Sequence, residues 1–222
     1  KLKLISKSYH NSKKINVLNK ISFNFQSGKI YSLIGPSGSG KSTLLNIISL
    51  IDTPSAGNLE IGKYITNTLS SETKDSIRST QIGIIYQDKN LLSDFTAFEN
   101  VYLSRFSVTQ NKEIAEKDAV KMLKKVGMQH RMDHYPSELS GGESQRIAIS
   151  RAIINNPKII LADEPTGSLD HKNARMIFKT LLSLKEKNRI IIYATHNRFF
   201  ANMADYKIRL INGKIQKING SI

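Results

Sequence analysis

Three glycines within six residues, Gly35, Gly38 and Gly40, lie between an apolar run and an amphipathic one, and no other feature constrains the chain as much. Lys29–Ile34 has the length and composition of a buried strand, and the pattern from about Lys41 to Leu50 is helical. A strand that turns through glycines directly into a helix is the first half of a β–α–β crossover, the unit of parallel sheets. The full segment is Gly35-Pro36-Ser37-Gly38-Ser39-Gly40-Lys41-Ser42-Thr43. Its glycines let successive backbone N–H groups turn toward one point, and the helix start adds a partial positive charge, so the loop is a phosphate cradle. Lys41 supplies a full charge toward β- and γ-phosphates, and the Ser42 hydroxyl is placed to bind Mg²⁺.

Further short apolar runs, Ile82–Tyr86, Ile159–Ala162 and Ile190–Ala194, read as buried strands alternating with helical patterns. The expected fold class is therefore α/β with a mostly parallel sheet. The opening segments Leu2–Tyr9 and Lys20–Phe25 read as antiparallel strands, and Asn212-Gly213 marks a two-residue hairpin between Lys207–Ile211 and Lys214–Ile218. From about Leu91 to Ile154 the pattern is almost wholly helical. That block falls between two sheet strands, so a helical subdomain inserted at approximately 90–155 is expected. Within it, Thr96 and Glu99 form a capping box, which starts a helix at about Ala97. Leu92 and Val101 are expected in its core, and Phe95 at its surface.

Ile159–Ala162 ends in Asp163-Glu164-Pro165. A buried strand delivers its last side chains to the carboxyl edge of the sheet, where open α/β folds bind ligands. There Asp163 can hold Mg²⁺, while Glu164 can orient the attacking water or act as its base. Ser140 and Glu143, in Leu139-Ser140-Gly141-Gly142-Glu143, form a second capping box, opening a helix with an apolar face of Ile149, Ala152 and Ile153. That is a second anion-binding helix terminus, which a single phosphate loop does not need.

These stretches together resemble the ATP-binding cassette (ABC) family, in which Ser140-Gly141-Gly142 corresponds to the signature sequence. The resemblance covers nearly the whole chain. It implies a P-loop NTPase cassette with a RecA-like core, an antiparallel β subdomain and the inserted helical subdomain, with ATP and Mg²⁺ as ligand and cofactor. It also implies a head-to-tail dimer in which the signature of one copy serves nucleotide held by the other. Tyr9 matches the aromatic position that stacks on adenine, with packing on the sheet as the alternative. Gln87 matches the glutamine that touches Mg²⁺ and water, Ser168-Leu169-Asp170 the loop at the dimer contact, and His196 the histidine on the γ-phosphate. Ser144 departs from the commoner Arg or Gln, a change expected at a surface contact.

Within the family the nearest resemblance is to the ATPases of lipoprotein-releasing transporters. It rests on Ile85-Tyr86-Gln87, on Leu91–Val101, and on His130-Arg131 followed by Pro136-Ser137-Glu138. Asp163–Asp170 is shared more widely, with macrolide- or peptide-exporting and cell-division ABC ATPases. The implied partners are a second copy and transmembrane transporter subunits, at the cytoplasmic face of the inner membrane.

Composition agrees with this. There is no cysteine, which rules out disulfides and thiolate metal sites and fits a reducing cytoplasm. No apolar run approaches the roughly 18–20 residues of a membrane span, and the opening Lys1-Leu2-Lys3-Leu4 does not have a signal-peptide pattern. Contact with a membrane is therefore expected through partners. The net charge of +15 gathers at the ends, with eight lysines and no acid in residues 1–51 and four basic residues and no acid in 206–222. No dense basic tract or interleaved aromatics accompany it, so nucleic acid is not expected as a partner. A DNA-maintenance ABC ATPase would carry coiled-coil arms or zinc modules, and the chain has neither a heptad run nor a cysteine.

Overall fold

A computed structural model describes residues 1–10 and 14–220. In chain order the first elements are β1 (Leu2–His10), β2 (Lys14–Phe23), β3 (Ile30–Ile34), α1 (Lys41–Ile48), β4 (Ala56–Ile61), β5 (Tyr64–Ile65), α2 (Ser71–Gln81) and β6 (Ile82–Ile85). There follow α3 (Ala97–Thr109), α4 (Lys112–Lys125), α5 (Gly141–Ile153), β7 (Ile159–Asp163), α6 (His171–Ser183), β8 (Ile190–Ala194), α7 (Arg198–Ala201), β9 (Tyr206–Ile211) and β10 (Lys214–Gly220). They divide between two compact units, one made of Lys1–Arg78 with the chain from Lys185 onward, the other of Ser79–Leu184.

In the first unit β1 pairs antiparallel with both β2 and β4, and β4 with β5. β3 lies between β8 and β9 and is parallel to both. The hairpin expected at Asn212-Gly213 forms, with Lys214 opposite Ile211. β3 reads as a continuous apolar run because both faces are covered, leaving Tyr31 and Leu33 almost without solvent contact. α1 turns Leu44, Leu45, Ile47 and Ile48 inward. Beneath β3 an aromatic cluster forms, with Tyr31 stacked on Tyr206 at 5.3 Å and edge-on to Phe25 at 4.9 Å.

In the second unit β6 and β7 run parallel, with Ile85 opposite Ala162. α3, α4 and α5 enclose a core of Ala97, Val101, Ala119, Leu123, Met128, Ile147 and Ile154. Both expected capping boxes form. Glu99 N donates to Thr96 Oγ1 at 3.2 Å while Thr96 N donates to Glu99 Oε2 at 2.7 Å, and Ser140 and Glu143 do the same at the start of α5.

Two expectations are corrected in this unit. Leu92 is 45% exposed rather than core. Asn100, fully buried, accepts from Leu92 N and donates to the carbonyls of Leu92, Phe95 and Thr96. The loop backbone is thus satisfied from inside by an amide, and the Leu92 side chain is turned outward. Ser144 is buried, not a surface contact; its hydroxyl donates back to Ser140 O at 3.0 Å. Among the described residues no helix is long and apolar enough to cross a membrane.

Candidate functional site

In the first unit, the end of β3 runs straight into the glycine loop. Gly40 takes the N-cap position of α1 with φ 98°, and no side chain caps the helix. A Cβ there would meet Leu18 Cδ2 at 2.6 Å, so both the left-handed backbone and the close approach require glycine. The first N–H groups of α1 have no side-chain acceptor and can serve an anion. Lys41 arches back over the loop, donating to Gly35 O at 2.9 Å and Pro36 O at 3.0 Å, which holds its ammonium against the loop backbone. The Ser39 hydroxyl is buried without a hydrogen-bond partner. An uncapped helix start, a positive side chain above it and an orphaned hydroxyl inside fit a bound polyphosphate. Ser42 is exposed at the helix start.

Tyr9 stands on β1, 42% exposed, with its hydroxyl donating to Asp52 Oδ2 at 2.7 Å and Lys7 Nζ 4.8 Å from the ring centre. Desolvation first, then the Asp52 carboxylate, pushes its pKa upward. The ring is positioned by its hydroxyl and not by core packing, so it keeps an accessible surface, as an aromatic platform needs. His196 follows Thr195 at the end of β8 and lines a cavity of about 730 Å³ together with Gly35 and Pro36. The structure thus brings the histidine and the start of the glycine loop to one place, although they are 160 residues apart in sequence.

In the second unit, the parallel register carries Gln87 and the Asp163-Glu164 pair to the same end of β6 and β7. Gln87 lies against the next turn, its amide group 3.1 Å from where a Cβ on Gly167 would stand. Glu164 has φ 45°, a left-handed conformation for a residue with a side chain. That costs about 1–2 kcal/mol, a strain of the kind that collects at functional sites. Gly167 N donates to Glu164 O at 3.0 Å, closing the turn that holds it.

The Ser140 segment is tied to the 168–170 loop within this unit. A Cβ on Gly142 would come within 2.7 Å of Asn173 Oδ1, so α5 begins close against α6, with the Asn173 amide in the space a side chain at 142 would need. Asp170 is the N-cap of α6, accepting from Lys172 N and Asn173 N at 3.0 Å each, a structural duty that the sequence reading did not assign. Glu143 accepts from Ser140 N at 2.8 Å and from Arg131 Nε at 3.0 Å. Its hydrogen bonds with Ser140, then the Arg131 guanidinium, hold its carboxyl at about 2.

Other residues at the site had no legible signal. Asp52, Gln145 and Arg151 act through hydrogen bonds whose partners are distant in sequence or are backbone atoms, which no spacing rule reveals. Among the described residues no group of three or more His, Cys, Asp or Glu could hold a metal. Ser42 of the first unit and Gln87 and Asp163 of the second each present side-chain oxygen atoms. Oxygen is the donor type that Mg²⁺ takes.

Residues 18–167 match the ABC transporter family model. The lipoprotein-releasing system ATP-binding protein LolD 2 of Chlorobium chlorochromatii is 42% identical over 217 residues, covering 94% of this chain and 90% of the relative. LolD of Wigglesworthia glossinidia brevipalpis is 42% identical over 225 residues, covering 99% and 96%. A solved ATP-binding cassette, a dimer in a post-hydrolysis state with ADP and Pi, superposes with a TM-score of 0.91. It is 36% identical, and the match covers 99% of this chain and 97% of that one.

Proposed function

Because this chain belongs to the ABC transporter family, we propose that it is the ATP-hydrolysing motor of a transporter that releases lipoproteins from the inner membrane, acting peripherally at the cytoplasmic face. The observation that carries the ATPase reading is the uncapped start of α1 beneath Lys41. The lipoprotein assignment is supported by the 42% identity, over nearly the full length, to proteins named for that system.

The backbone N–H groups of Gly35–Thr43 and the Lys41 ammonium bind the phosphates, and Tyr9 takes the adenine. Ser42, Gln87 and Asp163 would hold Mg²⁺, which when bound would neutralise charge on the phosphate oxygens. Glu164 accepts the proton of a water whose oxygen bonds to the γ-phosphorus as the bond to the β-phosphate oxygen breaks, giving ADP and phosphate. His196 hydrogen-bonds the γ-phosphate. Ser140, Gly141 and Gly142 serve nucleotide held by a second copy in a head-to-tail dimer.

The helices within residues 90–155 form the subdomain that meets the membrane subunits. Leu92 and Phe95, 45% and 38% exposed, offer them an apolar surface, backed by the Phe98–Tyr102–Phe106 stack. The test is to reconstitute the subunit with its copurifying membrane proteins in liposomes containing a lipid-anchored protein. ATP-dependent release of the anchored protein is expected. ATP turnover without release would remove the lipoprotein assignment, and absence of turnover would remove the motor.

A further inference from the structure

The chain leaving β6 crosses Lys89 and Asn90 with φ 56° and 47°, two consecutive left-handed residues that carry side chains. Such a backbone is costly and does not persist without support. The support comes from α5. Arg151 Nη2 donates to Lys89 O at 2.8 Å and Nη1 to Asn90 O at 2.6 Å. Gln145, fully buried on the same helix, donates from Nε2 to Tyr86 O at 3.3 Å and leaves its Oε1 without a hydrogen-bond partner. On the other flank Lys89 Nζ reaches Ser168 Oγ at 2.9 Å. Gln87 lies inside this bracket, against Gly167.

We propose that Arg151 is a positioning residue for Gln87, gripping the carbonyls of Lys89 and Asn90 so that the turn can adopt only the shape that lays Gln87 against Gly167. The proposal rests on the role given to Gln87 in the ATP cycle. The chemistry favours arginine, because a planar guanidinium can satisfy two adjacent carbonyls at once from a fixed fork. Burial lowers its pKa below the ordinary arginine value, but a guanidinium remains charged, so both bonds stay charge-assisted. The grip uses backbone acceptors only and therefore reads the shape of the turn rather than its sequence. It also fastens the turn to the helix that opens at Ser140-Gly141-Gly142, so Gln87 and the signature segment move together.

The experiment uses the intact subunit and three substitutions, Arg151→Met, Gln87→Ala and Asn90→Gly, alone and combined. For Arg151→Met, kcat should fall about tenfold, equivalent to about 1.4 kcal/mol, with the ATP dissociation constant changed by less than about twofold. Adding Gln87→Ala to Arg151→Met should cost little more than the larger single effect, because both act through one side chain. Adding Asn90→Gly should recover much of the lost turnover, since glycine adopts the left-handed backbone without the grip. A purely structural arginine would give additive losses and no glycine rescue, and either result overturns the proposal, as does unchanged turnover in Arg151→Met. If Arg151→Met does not fold, Arg151→Lys takes its place, keeping the charge but not the fork; wild-type turnover there, or no gain from Asn90→Gly, is equally fatal. Unchanged turnover in Gln87→Ala alone would instead show that the role of Gln87 was misread.

Discussion

Glu143 offers a pH-dependent test of how the signature helix is held. Replacing it with glutamine keeps the length and the acceptor that close the capping box with Ser140, and removes only the charge. In the native protein its carboxyl is held at about 2 against a reference of 4.5. At about 1.4 kcal/mol per pKa unit this sets a ceiling of about 3 kcal/mol. Arg131, its ion-pair partner, has a side chain 35% exposed, and screening at such a site brings the expected contribution to about 1–2 kcal/mol. Because the folded pKa is depressed, this stabilisation is fully present above about 4.5 and is lost as pH falls toward 2. Urea unfolding of both proteins between pH 3 and 7 should show Glu143→Gln less stable by that amount at pH 7 and the gap narrowing below pH 5. A gap that stays constant across the range, or none at pH 7, would refute the reasoning.

At the phosphate loop, Lys41→Ala should abolish hydrolysis and weaken ATP binding by an order of magnitude or more with little change in melting temperature; nucleotide titration decides, and unchanged affinity would discredit the cradle. Glu164→Gln should bind ATP but not turn it over, and should elute as a dimer with ATP on size exclusion. The added change Ser140→Arg should return it to monomer, whereas a dimer that persists would remove the signature segment from the interface. Phe95→Asp should leave folding and ATP binding nearly intact, since the side chain is already 38% exposed, yet lose copurification with membrane subunits. If assembly survives, the contact lies elsewhere.

The parts of this fold that could be read from sequence are those encoded by local chemistry. β3 and β8 announce themselves as apolar runs because both their faces are buried, and Thr96, Ser140 and the Asn212-Gly213 turn act over three or four residues. Boundaries moved, most at β2, which begins at Lys14, six residues before Lys20. The orientation of Leu92 was misjudged because it is decided by Asn100, eight residues away, whose amide captures three carbonyls. Ser144 was misplaced for a similar reason, since a serine that bonds back to the preceding turn can be buried while looking polar in sequence. Lys41 stands out within its own glycine loop and Glu164 at the end of an apolar run, whereas His196 is singled out only as a member of an ordered set. The bracket of Arg151 and Gln145 stayed hidden because its acceptors are backbone carbonyls, which every residue type presents alike.

The way Asn100 holds the 92–96 loop has a consequence for how such a motor could change partners. One buried amide settles the backbone path, so the outward side chains at 92 and 95 are not needed to keep it. The loop's scaffold and its outward face are thereby specified by different residues. On the proposed docking of the membrane subunits here, substitutions at Leu92 or Phe95 would alter which membrane helix is recognised while the loop retains its course, and a lineage could exchange one cargo system for another through a few surface changes. Asn100 has less latitude, because a side chain without an amide gives up its bonds to Leu92 N and to the carbonyls of Leu92, Phe95 and Thr96.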